Sequence, residues 1–296
     1  MSREKLFSLL GQRPESAISQ SIQVNEEVTP DYVIETLLLE LNGIESVPAY
    51  FIKPIEVNGK LPVVIYNHSH GGNYALGKEE VIKGNGYLQE RPFAEELTRM
   101  GYGVLAIDAW GFGERSGKKE SELFKEMLIR GRVLWGMMLY DTIHALDYLE
   151  TRSDVDTQRL ATIGMSMGGL MSWWLSAMDE RIKVTVDIAA QVDLETLIEQ
   201  RLLDKHGFYS YVPNLLSTFS TSTVQQLILP RNRLSLVGKD DPLCPIQGVE
   251  KLRDGIEKVC FEQNITGSFE QIVSTGGHQE TAHMRSRWVP YIQKHL

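Results

Sequence analysis

The stretch ATIGMSMGGLMSWWLSAM, residues 161–178, places Ser166 among glycines. A strand-like apolar run leads into this serine and a helix-like apolar run leads out of it. Gly164, Ser166 and Gly168 fit the pattern G-x-S-x-G, which is typical of a tight turn between a strand and a helix. Glycine at both positions removes side chains that would collide where the two elements approach each other. The stretch therefore predicts a serine whose hydroxyl projects above the carboxyl end of a strand.

Predicted strands alternate with predicted helices on both sides of this turn. The runs 31–41 and 47–54 are separated by the turn-rich NGIES and predict a hairpin. The other predicted strands are 61–68, 102–111, 160–164, 183–190, 233–238 and 268–274. The predicted helices are 92–101, 119–150 with a break at Gly131 or Gly136, 167–178, 245–258 and 280–295. This order predicts the α/β class, with a mostly parallel, doubly wound sheet covered by helices on both faces. The hairpin would add antiparallel edge strands.

The length of 296 residues fits one domain, which we predict to span 1–296. Residues 1–20 are expected to form a helical lead-in to that domain. The segment 193–222 joins two predicted strands and is longer than a plain crossover. Because it should lie over the carboxyl ends of the strands, we expect it to form a small cap.

Composition excludes several classes of function. The formal net charge of −9 argues against nucleic-acid binding. Two cysteines, Cys244 and Cys260, are too few for a disulfide framework. No apolar run is long enough to span a bilayer, and the N-terminus lacks the apolar core of a signal peptide. We therefore expect a cytoplasmic protein without a membrane partner, and the oligomeric state stays open.

A nucleophilic serine needs a histidine base and an acid that orients it, and on such a sheet these follow in the order Ser, Asp or Glu, His. His278, in STGGHQE, comes directly after the last predicted strand and is preferred to His283. Asp241, in LSLVGKDDPLCP, follows the preceding strand and is preferred to Asp240. Candidates of lower rank are His295, Asp187 and Asp193.

The site also needs N–H donors for a developing oxyanion. One predicted donor is the backbone N–H of Met167, and the other is that of His70, with Gly71 next, in the loop YNHSHGGNY. His68 and His70 also suggest a metal site, but no third ligand lies at suitable spacing nearby, so we expect no metal and no cofactor.

Three aromatic residues are candidates for substrate binding. Trp110 follows a strand at the same edge of the sheet, and Phe208 and Tyr211 lie in the expected cap. A pocket for an acyl or alcohol group would be largely apolar. A packing role for these rings is an equally open alternative. We interpret Cys244 as a small buried residue rather than a nucleophile.

GMSMGG, the KDDPLCP loop and the GGH near the C-terminus together resemble the α/β-hydrolase superfamily. Within it, YNHSHGGN, LAIDAWGFGERSG and HGFYSYVPNLL are similar to the dienelactone-hydrolase-like and acetyl-xylan-esterase-like branch. The resemblance runs from about residue 47 to the end, and it implies a serine hydrolase with Ser166 as nucleophile, Asp241 as acid and His278 as base. Two positions depart from the branch: dienelactone hydrolases have cysteine at the elbow, and relatives have His-Gly where this chain has His68-Ser69.

Three functions fit these features. The first is an esterase that cleaves a small-molecule carboxylic ester through an acyl-enzyme, without a cofactor. The second is a peptidase of the prolyl-oligopeptidase type. The third is a ligand-binding protein that keeps the fold without catalysis. The sequence does not determine the length of the acyl chain, the alcohol part of the ester or the natural substrate.

Overall fold

Nine strands form one mixed sheet in a computed structural model that describes residues 2–296. The strands are β1 (Ile22–Val28), β2 (Val33–Leu39), β3 (Val47–Lys53), β4 (Leu61–Asn67), β5 (Gly103–Ile107), β6 (Val155–Met165), β7 (Ile182–Ile188), β8 (Asn232–Gly238) and β9 (Phe269–Ser274). Their spatial order is β1-β2-β3-β5-β4-β6-β7-β8-β9. β4 to β9 pair in parallel, whereas β1, β2, β3 and the β3–β5 pair are antiparallel. The α/β fold class predicted from the sequence is thus confirmed.

The edge strand β1 was not predicted. Ile22, Val24 and Val28 alternate with polar residues in its sequence, IQVNEEV, but Glu26 interrupts this short pattern and all seven residues are exposed. The neighbouring β2 and β3 form the predicted hairpin, in register from Val33 opposite Lys53 to Leu39 opposite Val47. These two strands could be predicted from the sequence because most of their residues are buried and apolar.

Helices lie along both faces of the sheet. They are α1 (Arg3–Leu9), α2 (Glu80–Lys83), α3 (Phe93–Arg99), α4 (Glu120–Ile129), α5 (Leu134–Thr151), α6 (Met167–Met178), α7 (Leu194–Glu199), α8 (Thr221–Gln225), α9 (Ile246–Glu262) and α10 (Ala282–His295). The predicted break in 119–150 falls at Gly131, which has a φ of +69° between α4 and α5. Gly136 lies inside α5, where a Cβ would sit 2.0 Å from the carbonyl oxygen of Leu10. Gly136 therefore permits close packing rather than a kink.

The N-terminal segment differs from the predicted helical lead-in. Only Arg3–Leu9 is α-helical, and a single 3₁₀ turn follows at Ile18–Gln20. Gly11 ends the helical region because it has a φ of +79° and pairs with Arg132 as an isolated bridge. The lead-in is thus anchored across the α4–α5 break instead of continuing as a helix.

Two apolar cores sandwich the central strands. Alternate residues of β4 point to opposite sides: Val63 and Ile65 belong to the core that contains α5 and α6, and Val64 and Tyr66 to the core that contains α3 and α10. Strands buried on both faces read as continuous apolar runs, which is why β4 and β5 were predicted from the sequence. The parallel strands all end at one edge of the sheet, where ligands bind in open α/β folds.

Candidate active site

Ser166 occupies a strained turn between β6 and α6. Its φ is +55° and its ψ −120°, a conformation that L-residues seldom adopt. Its N–H donates to the carbonyl oxygen of Ile188 at 2.8 Å, which ties the turn to the end of β7. A Cβ at Gly168 would lie 1.9 Å from the carbonyl oxygen of Asn67, and one at Gly164 would lie 2.5 Å from the same atom. Only glycine fits at both positions, so the backbone can hold the serine side chain at the sheet edge.

The structure brings Ser166, His278 and Asp241 together in one hydrogen-bonded chain. Nε2 of His278 lies 2.8 Å from Oγ of Ser166, and Nδ1 lies 2.8 Å from Oδ2 of Asp241. Oδ1 of Asp241 accepts from the backbone N–H groups of Leu243 at 2.8 Å and Cys244 at 3.3 Å. Because the carboxylate only accepts, Nδ1 of His278 carries the ring proton and Nε2 is free to accept from the serine hydroxyl.

The lower-ranked candidates lie elsewhere or have other partners. Asp240 is exposed, and its N–H bonds the carbonyl oxygen of Gly276. His283 lies in α10 with its Nδ1 2.9 Å from Oγ of Ser274. Asp187 pairs with Arg233, and Asp193 caps α7 and bonds Lys251. His295 ends α10, where its ring packs on Tyr291.

Ser166 and His278 open onto a cavity of about 210 Å³, here called the serine cavity. Its walls come from the loop 68–72, here called the oxyanion loop after its predicted role, from the start of α6 and from the segment 205–209. The predicted cap thus contributes to the site, but through residues that were not singled out: Lys205, His206, Gly207 and Tyr209. No periodic pattern in this segment marks them, because it consists of short turns rather than one long element.

Three residues that line the serine cavity, from two elements, have N–H groups without a hydrogen-bond acceptor among the described residues. Met167 is the first residue of α6, so its N–H has no acceptor within the helix. In the part of the chain that the structure describes, the N–H groups of His70 and Gly71 have no hydrogen-bond acceptor, whereas Gly72 donates to Nδ1 of His70 at 3.0 Å. Both candidates for the second oxyanion amide therefore stay available.

The side chains of His70 and Tyr209 form a polar pair at the cavity wall. Burial lowers the pKa of His70 to about 4, so the ring is neutral near pH 7. Since Nδ1 accepts from Gly72, the ring proton lies on Nε2, which donates to the Tyr209 hydroxyl oxygen across 3.1 Å. The hydroxyl proton of Tyr209 is then free to be donated to a bound molecule. The backbone N–H of Tyr209 donates to Glu120 at 2.9 Å, which holds the residue in place.

The aromatic residues predicted to bind substrate do not line the serine cavity. Trp110 is buried, and the guanidinium of Arg115 lies 4.3 Å above its ring. Phe208 is 47% exposed and packs beside Phe124 on the surface. The reason is the 3₁₀ turn at Phe208–Ser210, which turns Tyr209 inward and its neighbour outward. Trp110 and Phe208 are therefore not part of the wall of the serine cavity, and their predicted contact with substrate stays a prediction.

Tyr211 lies one layer further from the serine. Its hydroxyl donates to the carbonyl oxygen of Leu203 at 2.7 Å, and its ring lines an apolar hollow formed by α6, α7 and the cap. This hollow shares Leu170, Val192 and His206 with the serine cavity. Tyr211 is thus a neighbour of the site and not part of its inner wall.

One group of side chains has the composition of a metal site. Ligand atoms of Asp241, Cys244 and His278 lie within 4.8 Å of one another. Burial and the nearby carboxylate of Asp241 raise the pKa of the Cys244 thiol well above its ordinary value, so the sulfur keeps its proton. The other two residues are engaged in the hydrogen-bonded chain. His68, the other histidine considered as a ligand, accepts from the N–H of Ala109 at 3.1 Å.

Within residues 2–296, no helix combines the length and the apolar composition that a membrane crossing requires.

Comparison with known proteins places the chain among hydrolases. The profile of the prolyl oligopeptidase family matches residues 94–287. A Bacillus subtilis (strain 168) protein named "Putative hydrolase YtaP" is 51% identical over 294 residues, which cover 99% of this chain and 98% of that protein. Among solved structures, a glucuronoyl esterase from Solibacter usitatus superposes with a TM-score of 0.73 at 14% identity, covering 98% of this chain and 91% of that one. Methylesterase BT1017 superposes with a TM-score of 0.71 at 18% identity, and the match covers 99% of this chain and 60% of the methylesterase. At such identities these superpositions show the shared fold alone.

Proposed function

The chain belongs to the prolyl oligopeptidase family, and from this premise we propose that it is a serine hydrolase that cleaves carboxylic esters of small molecules. The observation that supports the proposal most strongly is the hydrogen-bonded chain from Ser166 through His278 to Asp241. Each member lies where acyl transfer requires a nucleophile, a base and an orienting acid. Ser166 and His278 open onto a cavity that can hold a substrate.

Acylation would begin with the Ser166 hydroxyl, whose oxygen attacks the ester carbonyl carbon while Nε2 of His278 takes the proton. The imidazolium formed in this step is stabilised by the carboxylate of Asp241, which also keeps the ring in the productive tautomer. His278 then gives the proton to the departing alcohol oxygen, and an acyl-enzyme remains. Water, deprotonated by His278, would attack the acyl carbonyl carbon; as the bond to Oγ of Ser166 breaks, His278 returns the proton to that oxygen and the acid is released.

The oxyanion formed in each half-reaction would be bound by backbone N–H groups. Met167 supplies one, and His70 or Gly71 supplies the other. The free proton of the Tyr209 hydroxyl adds a third donor at the cavity wall. Fixed donors of this kind stabilise the transition state more than the ground state, and removing one typically lowers kcat by roughly 10²–10³.

Two observations favour an ester over a peptide. The serine cavity of about 210 Å³ is walled by the cap segment 205–209, and it is smaller than the roughly 300–1,000 Å³ typical of pockets for drug-sized ligands. The two solved structures described above bear the names of esterases. Family membership keeps a second candidate, a peptidase that cleaves short peptides. Aminoacyl anilides separate the two, because an esterase of the proposed kind turns them over far more slowly than p-nitrophenyl acetate.

The first test is the Ser166→Ala variant beside the wild type. We expect the wild type to release p-nitrophenol in a burst and to be labelled by a fluorophosphonate, because both reactions need the serine oxygen. The variant should fold, as judged by its thermal melt, and should show neither reaction. Equal labelling of the variant and the wild type would disprove Ser166 as the nucleophile, and a ligand-binding protein would then be the better description.

A further inference from the structure

A buried carboxylate lies beneath the oxyanion loop, in a segment that the proposed mechanism does not use. Glu80, the first residue of α2, is fully buried. Ser69 donates its N–H to Oε1 of Glu80 at 2.8 Å and its hydroxyl to Oε2 at 2.6 Å. The Tyr66 hydroxyl donates to Oε1 at 2.7 Å, and the side-chain amide of Asn85 donates to Oε2 at 3.0 Å. The Tyr87 hydroxyl also donates to Oε2 at 3.4 Å, so Oε1 accepts from two donors and Oε2 from three, which is the pattern of an ionised carboxylate.

All of these donors are neutral groups. A buried charge without a counter-ion is costly, so proteins seldom retain one for stability alone. Two of these hydrogen bonds come from a single residue of the oxyanion loop, Ser69. The hydroxyl of Ser69 is used entirely within this cluster. The carboxylate therefore holds the loop at the residue directly before the free N–H groups.

Tyr87 connects the same cluster to the loop of the catalytic histidine. Its hydroxyl lies 2.9 Å from Oγ of Ser69, and its ring packs so closely on Gly71 that a Cβ there would lie 2.3 Å from a ring carbon. The carbonyl oxygen of Tyr87 accepts the N–H of Glu280 at 2.8 Å, two residues after His278. One short segment thus contacts both the loop that would bind the oxyanion and the loop that carries the base.

We propose that Glu80 is a positioning residue that sets the oxyanion loop. By accepting from both the N–H and the hydroxyl of Ser69, its carboxylate directs the free N–H groups of His70 and Gly71 toward the ester carbonyl oxygen, which becomes negative when Ser166 attacks. The inference rests on the proposed function, and it deepens it at the same site. The charge of Glu80 would itself repel an oxyanion, so its contribution comes from orienting N–H donors and not from its field.

The test is Glu80→Gln, with Glu79→Gln as the matched control. Glutamine puts an NH₂ group where an oxygen accepts, so at least one donor of Ser69 or Asn85 loses its partner. We expect kcat for p-nitrophenyl acetate to fall by about 10², close to the loss of one oxyanion donor, while KM changes by less than about twofold. Glu79 pairs with Lys83 at the surface, and its variant should match the wild type.

A second measurement separates positioning from general loosening of the fold. Phenylboronic acid forms a tetrahedral adduct on the serine whose anionic oxygen occupies the oxyanion site. Its inhibition constant should rise in Glu80→Gln by the same factor by which kcat/KM falls, when rates are expressed per serine labelled by fluorophosphonate. Wild-type kcat in this variant, or an unchanged affinity for the boronic acid, would overturn the inference.

Should Glu80→Gln fail to fold, Ser69→Ala takes its place. It keeps the backbone bond to Glu80 and removes only the hydroxyl bond, so kcat and boronate affinity should fall by about tenfold, and wild-type values would refute the inference. Failure of the proposed function is distinguishable, because it would appear in the wild type as absent labelling of Ser166 and absent turnover. Failure of the present inference leaves both of these intact.

Discussion

The change Asp241→Asn tests the proposed site most directly, because the structure fixes how the new amide would be oriented. Oδ1 of Asp241 accepts from the N–H groups of Leu243 and Cys244, and Oδ2 accepts from Nδ1 of His278. The amide oxygen of asparagine would keep the two backbone donors, so its NH₂ group would face the histidine. Two N–H groups cannot bond each other, and the ring would move its proton to Nε2. In that tautomer His278 cannot accept the proton of Ser166.

The expected loss is large because two contributions vanish together. The histidine must return to the unfavoured tautomer before each turnover, and the imidazolium formed during attack loses the carboxylate that stabilises it. The same substitution in a serine protease triad lowers kcat by roughly 10⁴, which corresponds to roughly 5.5 kcal/mol in the activation free energy. Asparagine has nearly the shape of aspartate and retains the bonds to the loop, so folding should be little affected.

The assay is the steady-state hydrolysis of p-nitrophenyl acetate, with Asp240→Asn as the control. Asp240 is adjacent but exposed, so its variant should keep kcat within about twofold. The reasoning is refuted if Asp241→Asn retains more than about a tenth of wild-type kcat, or if the control loses as much. A lower melting temperature with proportionate loss of both kcat and labelled serine would indicate a structural role for Asp241 instead.

Two further predictions follow from the cap and from the antiparallel part of the sheet. Tyr209→Phe should keep the fold and lower kcat by about tenfold or more with little change in KM, because it removes the hydroxyl that His70 leaves free to donate; equal changes in both constants would contradict this. Burial would raise the pKa of Glu35, but hydrogen bonds from Arg152 and Lys53 outweigh burial and hold it below its ordinary value. The ionised Glu35 therefore stabilises the folded state at neutral pH, and this contribution is lost as pH falls below about 4.5 and through the lowered folded-state pKa of Glu35. The difference in melting temperature between wild type and Glu35→Gln should shrink over that range, and a constant difference would contradict the assignment.

The elbow and its flanking elements were predictable because the information is local. Helix α6 has the predicted bounds, 167–178, and the pattern of Gly164, Ser166 and Gly168 lies within five residues. The ends of the strands could be predicted nearly as well, since a buried strand in a parallel sheet is an apolar run that stops at a polar loop. The residues for the base and the acid could therefore be chosen from their positions after the last two strands.

The cap was predictable as a segment but not residue by residue. Phe208 and Tyr209 are adjacent aromatics, and the 3₁₀ turn decides that the first faces solvent and the second faces the serine. A turn of three residues has no apolar stripe that a sequence pattern could reveal. Trp110 lies outside the cavity wall for a different reason: its ring is buried, and the guanidinium of Arg115, five residues later, packs over it.

Glu79 and Glu80 show the difference between a residue whose contacts can be predicted from the sequence and one whose contacts cannot. The two carboxylates are adjacent in sequence and identical in chemistry, yet the first pairs with Lys83 at the surface and the second enters the core beneath the oxyanion loop. The ion pair between Glu79 and Lys83 could be predicted from their spacing, because residues four apart share a helix face. The second has partners at Ser69 and Tyr66, eleven and fourteen residues earlier, on a loop and a strand that only the folded sheet brings to it. The groups that perform the proposed chemistry can therefore be read from strand ends, whereas the groups that hold them in place depend on packing between elements.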